Sequence, residues 1–490
     1  LNASGKMPCK IVYKPTVKTP AEIKKIFKEA SYDDKCAGVI AWMHTFSPSK
    51  MWINGLKDFK KPYCHFHTQF NREIPWNEID MDFMNLNQSA HGDREHGFIG
   101  SRLRMARKVI VGYWEDEEPQ TKLANWMRSA CGYAISQELK MVRFSDNMRQ
   151  VAVTEGDKVE AEIKFGWDVE YRPIGDIVDI LNEVTETEID AKMAEYESRY
   201  TMDTDNIDAV RYQAKEEIAI RKMCEQFDYS AFVTHFDTLH GLDQLPGLAA
   251  QNMMADGYGF GAEGDWKVAA MDVIMKSMAE GMTGGTAFME DYTYHLEKGN
   301  EHILGAHMLE VCPLVADKPK IQVHPLGIGG KSDPARLVFD SKNGDAIVAS
   351  LVDMGGRMRL IVNDIKACNP LKPMPKLPVA GVIEGAGGNS QNDDKGQSKD
   401  SQNEGSEGSS ESLYSFESKN SDENEKEKDA EKNTSKYEYD IKNYVGGETA
   451  IEKKNKAEAI GAAVFEKDKM VGELGVIALP AAQMEFCNPQ

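Results

Sequence analysis

Hydrophobic and polar positions alternate between strand-like and helix-like patterns over the first part of the chain. Residues 36–43 form a continuous apolar run, which is typical of a strand buried on both faces of a parallel sheet. Thr19 and Pro20 place a capping residue and a proline where a helix would begin, and a second short strand is predicted over 63–66. This alternation predicts a doubly wound α/β domain over residues 1–140.

The same alternation continues over residues 141–282, which we expect to form a second doubly wound α/β domain. The stretch 151–165 predicts a hairpin that turns at 155–157. Apolar residues at three- and four-residue spacing then predict two helices, over about 176–199 and 205–227. The predicted fold class is therefore α/β for more than half of the chain.

Beyond residue 283 the pattern becomes β-like and then loses its apolar residues. Two alternating strands over 345–365 predict a mainly β domain at 283–380. A disordered acidic linker is predicted over 381–456, because its central part, 393–440, holds 15 acidic and seven basic residues and one large aliphatic side chain. The last segment, 457–490, is too short to form a core of its own, and its role is left open.

Charge and composition exclude several classes of partner. The net charge of −21 and the pI near 5.1 argue against nucleic-acid binding and against electrostatic docking on anionic membranes. The chain has no apolar run of about 18 residues, and its first residues lack the apolar core of a signal peptide. The eight cysteines are scattered and form no CxxC pattern, which favours a reducing compartment. We therefore expect a cytoplasmic protein with no nucleic-acid or membrane partner.

Three short segments between residues 258 and 313 carry the candidate chemistry. Glu263 lies between glycines, Glu290 ends an apolar run and His307 follows a small-residue pair. Each also has an ordinary explanation: a capped helix start, a strand-end acid facing water and a core histidine. Together, however, two glutamates and a histidine suit Mn²⁺ or Mg²⁺ better than zinc. Two carboxylates beside a bound sugar also suit proton transfer between neighbouring carbons.

Long stretches of the chain, covering about residues 7–380, closely resemble the bacterial L-arabinose isomerase family. The matching stretches are HTFSPSKMWINGL at 44–56, FHTQFN at 66–71, IDMDFMNLNQSAHG at 79–92, RFSDNMRQVAVTEGDKV at 143–159, GYGFGAEGDWK at 257–267, FMEDYTYHLEKGN at 288–300, HMLEVCP at 307–313 and LGIGGKSDPARL at 326–337. The resemblance implies isomerisation of L-arabinose to L-ribulose, often with weaker action on D-galactose. It also implies one Mn²⁺ per subunit and a homo-hexamer with active sites at subunit junctions.

The resemblance also assigns roles to individual residues. It implies that Glu263 and Glu290 are metal ligands and form the acid/base pair, and that His307 is a third metal ligand. It leaves open which glutamate is the base. The residues that it implies for the sugar pocket are Gln88, His91, Met148, Phe236 and Met308.

The resemblance is incomplete at both ends, and this shapes our expectation of activity. The first strand of the family would precede Leu1, and the similarity stops near Ala380, before the second histidine ligand of the family. No histidine follows His324 in this sequence. We therefore expect a truncated mainly β domain, an ion with three protein ligands, and weak or absent isomerase activity. The alternative is a non-catalytic sugar- or partner-binding remnant from a fused or mis-joined gene.

Overall fold

The computed structural model describes residues 1–43, 45–374, 376–385 and 475–478. The predicted disorder of 393–440, and almost all of the predicted acidic linker and tail, lie outside the described residues. Among the helices that are described, none is long and apolar enough to cross a membrane.

The N-terminal region is built on a parallel three-stranded sheet in the order β1-β2-β3. Its strands are β1 (Val39–Ala41), β2 (Tyr63–His67) and β3 (Lys108–Val111). Its helices are α1 (Pro20–Tyr32), α2 (Ile53–Leu56), α3 (Met81–Leu86), α4 (Ser89–Arg102) and α5 (Glu117–Gln137). Only the centre of the apolar run 36–43 is strand, so the predicted strand is present but shorter than its apolar run.

Helix α1 begins where the sequence predicts. The Thr19 hydroxyl accepts a hydrogen bond from the Glu22 backbone N–H, and the Glu22 carboxylate accepts one from the Thr19 N–H. This reciprocal pair satisfies two of the free N–H groups at the helix start. The helix then buries Ile23 and Phe27, four residues apart, against the N-terminal core.

The central region contains a second parallel sheet, in the order β5-β4-β7-β8. Its strands are β4 (Lys140–Phe144), β5 (Asp168–Arg172), β7 (Ala231–Val233) and β8 (Gly259–Gly261), while β6 (Thr201–Met202) pairs elsewhere. Its helices are α6 (Lys158–Phe165), α7 (Ile174–Glu183), α8 (Glu186–Arg199), α9 (Ile207–Phe227), α10 (Gly247–Ala255) and α11 (Trp266–Ala279).

The hairpin predicted over 151–165 is wrong. Asp157, predicted to lie in the hairpin turn, is instead the N-cap of α6, and its carboxylate accepts a hydrogen bond of 2.9 Å from the Glu160 N–H. Ala161 and Phe165 are both buried, and their four-residue spacing places them on one helix face. The short stretch therefore follows its cap and its helical spacing rather than an alternating strand pattern.

The single helix predicted over 176–199 is two helices, α7 and α8. Thr185 begins the second helix, because its hydroxyl accepts from the Glu188 N–H while the Glu188 carboxylate accepts from the Thr185 N–H. The sequence Thr-x-x-Glu carries this signal in the middle of a continuous amphipathic pattern. The helix predicted over 205–227 is confirmed as α9.

The C-terminal part of the described chain is rich in β-structure. Its strands are β9 (Thr286–Phe288), β10 (Glu290–His295), β11 (His302–Ala306), β12 (Ala316–Val323), β13 (Ala335–Ser341), β14 (Gly344–Asp353), β15 (Met358–Cys368), β16 (Val379–Gly385) and β17 (Gly475–Ala478). Seven of them form one sheet in the order β10-β11-β16-β15-β14-β17-β9, and β12 joins β13 and β6. The predicted class, two α/β regions followed by a β-rich region, is confirmed.

One buried apolar cluster connects the central parallel sheet with the C-terminal seven-stranded sheet. Phe260 in β8 and Phe288 in β9 meet edge to face across this boundary, with 5.6 Å between their ring centroids. The contact brings the carboxyl ends of β8 and β9 close together. Residues that follow these two strands are therefore held near one another.

Candidate active site

Glu263 lies in a tight turn directly after β8. The turn, Ala262–Gly264, is a single 3₁₀ turn in which Glu263 has φ of 55° and ψ of 21°. This left-handed conformation is unfavourable for a residue with a side chain. The Glu263 carbonyl accepts a hydrogen bond of 2.9 Å from the Met148 N–H, and the Gly264 N–H donates to the Thr234 carbonyl at 3.0 Å. The neighbouring loops therefore hold the strained turn in place.

Asn147 is the side chain that joins this turn to the loop after β4. Its amide donates to the Gly264 carbonyl at 3.0 Å and to the Thr154 carbonyl at 2.6 Å, and its oxygen accepts from Arg143 at 2.7 Å. The buried ammonium of Lys267 also donates to the Thr154 carbonyl, at 2.9 Å. These buried hydrogen bonds fix the backbone that presents Glu263.

The pairing of β10 with β11 brings Glu290 and His307 together. Glu290 is the first residue of β10 and pairs with Ala306, the last residue of β11, so His307 follows at the same end of the hairpin. The Nε2 atom of His307 lies 3.8 Å from Oε1 of Glu290. The exposed fraction is 6 % for the His307 side chain and 13 % for Glu290.

Glu310 is a site residue that the sequence analysis missed. Its carboxylate accepts a hydrogen bond of 2.6 Å from Nδ1 of His307, and both side chains are buried. The signal in the sequence is a histidine followed three residues later by a glutamate. In the structure, both residues lie in the loop after β11, and the hydrogen bond between their side chains closes a turn.

Each of the three groups shifts the pKa of at least one of the others. Burial raises the pKa of Glu263, and the nearby charge of Glu290 raises it further. Burial also raises the pKa of Glu290, although His307 opposes this shift. Burial alone would lower the pKa of His307, but Glu310 and Glu290 outweigh it and raise the pKa to about 9. Glu263, Glu290 and His307 therefore lie within reach of each other's charge.

Three of the residues expected in a sugar pocket lie around this cluster. Met148 donates its backbone N–H to Glu263, and Met308 directly follows His307. Phe236 begins a short turn after β7, the strand that pairs with β8. All three side chains are half-buried. The structure thus brings these three to the same end of the central sheet as Glu263.

Gln88 and His91 lie elsewhere, at the start of α4 in the N-terminal region. Gln88 is half-buried and His91 is exposed. Within the described part of the chain, no hydrogen bond or ion pair links either of them with Glu263, Glu290 or His307. The structure therefore does not join these two residues to the acidic cluster in one chain.

A second group of carboxylates has suitable spacing for a metal ion but a different environment. Its ligand atoms all lie within 4.8 Å of one another, and its members are Glu195, Glu217 and Asp256. Three basic side chains pair with them: Lys192, Arg199 and Arg221. Because the negative charges are already neutralised, this group is an ion-pair network rather than a competing metal centre.

The donor set at Glu263, Glu290 and His307 fits a divalent cation on chemical grounds. Two carboxylates and one imidazole are ligands that Mn²⁺ and Mg²⁺ accept. His307 has one ring nitrogen held by Glu310 and the other facing Glu290. A histidine whose second nitrogen donates to a carboxylate is the usual arrangement of a metal-binding histidine.

Known proteins match this chain over most of its length. Three family profiles match consecutive parts of the chain: the L-arabinose isomerase N-terminal domain at 1–138, the central domain at 140–281 and the C-terminal domain at 285–386. The L-arabinose isomerase of Thermotoga neapolitana is 57 % identical over 386 residues, and that of Geobacillus stearothermophilus is 56 % identical over 390 residues. Each alignment covers 78 % of this chain and 78 % of the relative. The resemblance seen in the sequence motifs is thereby confirmed, and the chain belongs to the L-arabinose isomerase family.

Proposed function

We propose that this chain converts L-arabinose to L-ribulose. One observation carries the proposal: three separate segments bring Glu263, Glu290 and His307 to the ends of β8, β9 and β11. Glu290 and His307 lie 3.8 Å apart there, and both are close enough to Glu263 to shift its pKa. A half-buried pair of carboxylates beside an imidazole is the chemistry that aldose–ketose isomerisation requires. Membership of the family supports the choice of reaction and substrate.

The proposed cofactor is one Mn²⁺ per subunit, held by Glu263, Glu290 and His307. When bound, such an ion polarises the sugar carbonyl and stabilises negative charge on its oxygen. The hydrogen bond from His307 to Glu310 fixes the imidazole, so that Nε2 is the nitrogen turned toward Glu290. This arrangement favours ligation through Nε2.

The two glutamates are proposed to share the proton transfers. One carboxylate removes the proton from C2 of the aldose and returns it to C1, while the other moves the hydroxyl proton between the two oxygens through an enediol. The raised pKa values of both glutamates support this role, because an acid/base group works best when its pKa lies closer to the working pH. Met148, Phe236 and Met308 are proposed to line the sugar.

A homo-hexamer in the cytoplasm is the proposed assembly and location. In this proposal Gln88 and His91 contact the sugar bound at Glu263 and Glu290 of a second subunit. Their distance in sequence from these glutamates and the exposure of His91 suit this arrangement. The segment before α4 exposes large apolar side chains that a second subunit would cover: Phe70, Ile74, Trp76, Met81, Met84 and Leu86. Six cysteines form no disulfide bond in the described part of the chain, which suits a reducing compartment: Cys9, Cys36, Cys64, Cys131, Cys224 and Cys312.

The test is a metal titration of the full-length protein. After removal of metal with a chelator, the protein is assayed for L-ribulose formation while Mn²⁺, Mg²⁺ or Zn²⁺ is added, and D-galactose is offered in parallel. We expect activity that rises with Mn²⁺ and falls by at least about 10²-fold in Glu290→Gln. Glu297→Gln, at an exposed position of the same hairpin, should behave like the unmodified protein.

Two results would overturn the proposal. The first is a folded, metal-loaded protein that binds L-arabinose and forms no ketose, which would favour the non-catalytic sugar-binding alternative. The second is a Glu290→Gln variant that retains full turnover.

A further inference from the structure

Two cysteines that are 122 positions apart in the sequence meet at the surface of the N-terminal region. The thiol of Cys131 donates a hydrogen bond to the sulfur of Cys9, with 3.8 Å between the two sulfur atoms. Cys131 lies half-buried on α5, and Cys9 is exposed on an irregular stretch that precedes α1. The two thiols are in contact without being bonded.

The stretch that carries Cys9 is held on α5 by contacts of its own. The Asn2 side chain donates to the Ile11 carbonyl at 2.8 Å and accepts from the Ile11 N–H at 2.9 Å, which closes the stretch into a loop. Met7 and Ile11 pack against the core cluster that contains Trp126 and Met127 of α5. The contact between the two sulfur atoms is therefore part of a packed surface.

The surroundings give the two thiols different chemical roles. The hydrogen bond from Cys131 and the positive charge of Arg128, one turn earlier on α5, lower the pKa of Cys9 to about 7 despite partial burial. The pKa of Cys131 is raised by the same contact and by burial. Cys9 is therefore the better nucleophile at neutral pH, since the thiolate is the reactive form.

We propose that Cys9 and Cys131 form a reversible redox pair that closes to a disulfide when a peroxide is present. The Cys9 thiolate attacks one oxygen of hydrogen peroxide, so that an S–O bond forms, the O–O bond breaks and hydroxide leaves. The Cys131 sulfur then attacks the sulfenic acid on Cys9, the S–S bond forms, the S–O bond breaks and the proton of Cys131 leaves with the departing oxygen as water. Two thiols lose two electrons in total, and the peroxide is reduced to water.

Closing this bond would constrain the whole N-terminal sheet. The sulfurs must approach further, because a disulfide is about 2 Å long, and the irregular stretch around Cys9 can supply that movement while helix α5 stays fixed. The loop between the two cysteines contains β1, β2 and β3 and helices α1 to α4. A cross-link around so long a loop removes much of the entropy of the unfolded chain. Oxidation should therefore raise the melting temperature of this region.

The experiment treats the reduced full-length protein with hydrogen peroxide in small molar excess. Peptide mapping without reductant should find a Cys9–Cys131 linked peptide, thiol counting should show the loss of two thiols, and the melting temperature should rise by several degrees. Dithiothreitol should reverse all three changes. Cys36→Ser, which alters another half-buried cysteine of the same region, should form the linked peptide normally.

Variants of the pair separate the two roles. Cys131→Ser should retain a sulfenic acid on Cys9 that dimedone captures, and Cys9→Ser should give neither the linked peptide nor the rise in melting temperature. The proposal is overturned if Cys9 and Cys131 stay reduced while other cysteines oxidise. It is also overturned if Cys9 proceeds to sulfinic acid, or pairs with other cysteines, without forming the bond to Cys131.

Discussion

The Nδ1 atom of His307 donates a 2.6 Å hydrogen bond to the carboxylate of Glu310, and this bond aims the opposite ring nitrogen at Glu290, 3.8 Å away. Both partners of the hydrogen bond are buried, so solvent does not compete for it. The orientation of the proposed metal ligand is thus fixed by a residue that is not itself a proposed ligand.

The first prediction concerns Glu310→Gln. Glutamine can still accept the hydrogen bond from His307, but it carries no charge. The imidazole therefore becomes a weaker metal ligand. We expect the half-saturating Mn²⁺ concentration to rise by about 10- to 100-fold, with most of kcat recovered at saturating Mn²⁺. A Mn²⁺ titration of L-ribulose formation measures both quantities. An unchanged half-saturation would mean that Glu310 does not tune His307.

The second prediction compares two glycines with the same backbone handedness. Gly264 has φ of 81°, and a Cβ atom there would lie 2.7 Å from the Cα of Asn147. Gly281 has φ of 74°, and a Cβ atom there would meet nothing within 4 Å. Gly281→Ala should cost about 1 kcal/mol from backbone strain alone. Gly264→Ala adds a clash with backbone and should cost about 3 kcal/mol.

Urea unfolding of the two glycine variants measures these costs, and turnover provides a second readout. Because Gly264 follows Glu263, its substitution should also displace that carboxylate and lower kcat, whereas Gly281→Ala should leave kcat near that of the unmodified protein. Equal losses in the free energy of unfolding would contradict this prediction. They would mean that the loop around Asn147 moves away from the added methyl group at little cost, despite the hydrogen bonds that hold it.

The parts of this site that could be predicted from the sequence are those whose signal is local. Glu263 and Glu290 stand out because acidic side chains follow glycine-rich or apolar strands, and strand ends meet at one edge of a sheet. Glu310 gave no such signal, because its contact with His307 depends on the path of the loop after β11. The cysteine pair could not be foreseen either, since Cys9 and Cys131 meet only through tertiary packing.

The fold errors have the same physical origin. Around Asp157 and Thr185, the sequence carries a short cap signal within a longer apolar pattern, and the apolar pattern alone predicts the wrong structure. In the structure the caps decide where α6 and α8 begin. Capping hydrogen bonds satisfy N–H groups that otherwise have no partner, so they determine boundaries that hydrophobic spacing alone leaves open.

The third prediction tests whether the carboxylate group of Glu195, Glu217 and Asp256 is an ion-pair network. It concerns Glu217. Its fully buried carboxylate accepts hydrogen bonds from Tyr196 at 2.6 Å, Arg221 at 2.7 Å and Lys192 at 2.9 Å. Glu217→Gln removes the charge and leaves two partly buried cations underpaired. We expect a loss of about 3 kcal/mol in the free energy of unfolding.

The control for the Glu217 variant is Glu186→Gln, an exposed partner of Arg211, which should change stability by less than about 0.5 kcal/mol. Calorimetric titration of both variants with Mn²⁺ should give the stoichiometry of the unmodified protein. Loss of a Mn²⁺-binding event in Glu217→Gln would instead identify the cluster as a metal site.

The fourth prediction follows from the burial of His96 on α4. Its Nε2 atom accepts a hydrogen bond of 2.6 Å from the Tyr63 hydroxyl, and its ring packs edge-on against Trp52 with 4.9 Å between centroids. Burial, together with the neighbouring charges of His65 and Arg107, lowers its pKa from 6.5 to about 3. Between pH 6.5 and pH 3 the unfolded chain therefore binds one more proton at this position than the folded chain does.

The sign of the pH effect is then fixed by linkage. The stability that a neutral His96 contributes is complete above pH 6.5 and is lost as the pH falls through the window from 6.5 toward 3. From pH 6.5 to pH 5 the loss should be about 2 kcal/mol.

His96→Gln, which can still accept a hydrogen bond from Tyr63, should be less stable than the unmodified protein at pH 8 but should lose less stability on acidification. Urea unfolding of the metal-free protein at pH 8, 6.5 and 5 measures the difference, with His240→Gln as an exposed control that should keep the original slope. If the free energy of unfolding fell equally with pH in the unmodified protein and in His96→Gln, the prediction would be contradicted. That result would mean that His96 takes up a proton as easily in the folded chain as in the unfolded chain, because only a group whose pKa differs between the two states makes stability depend on pH.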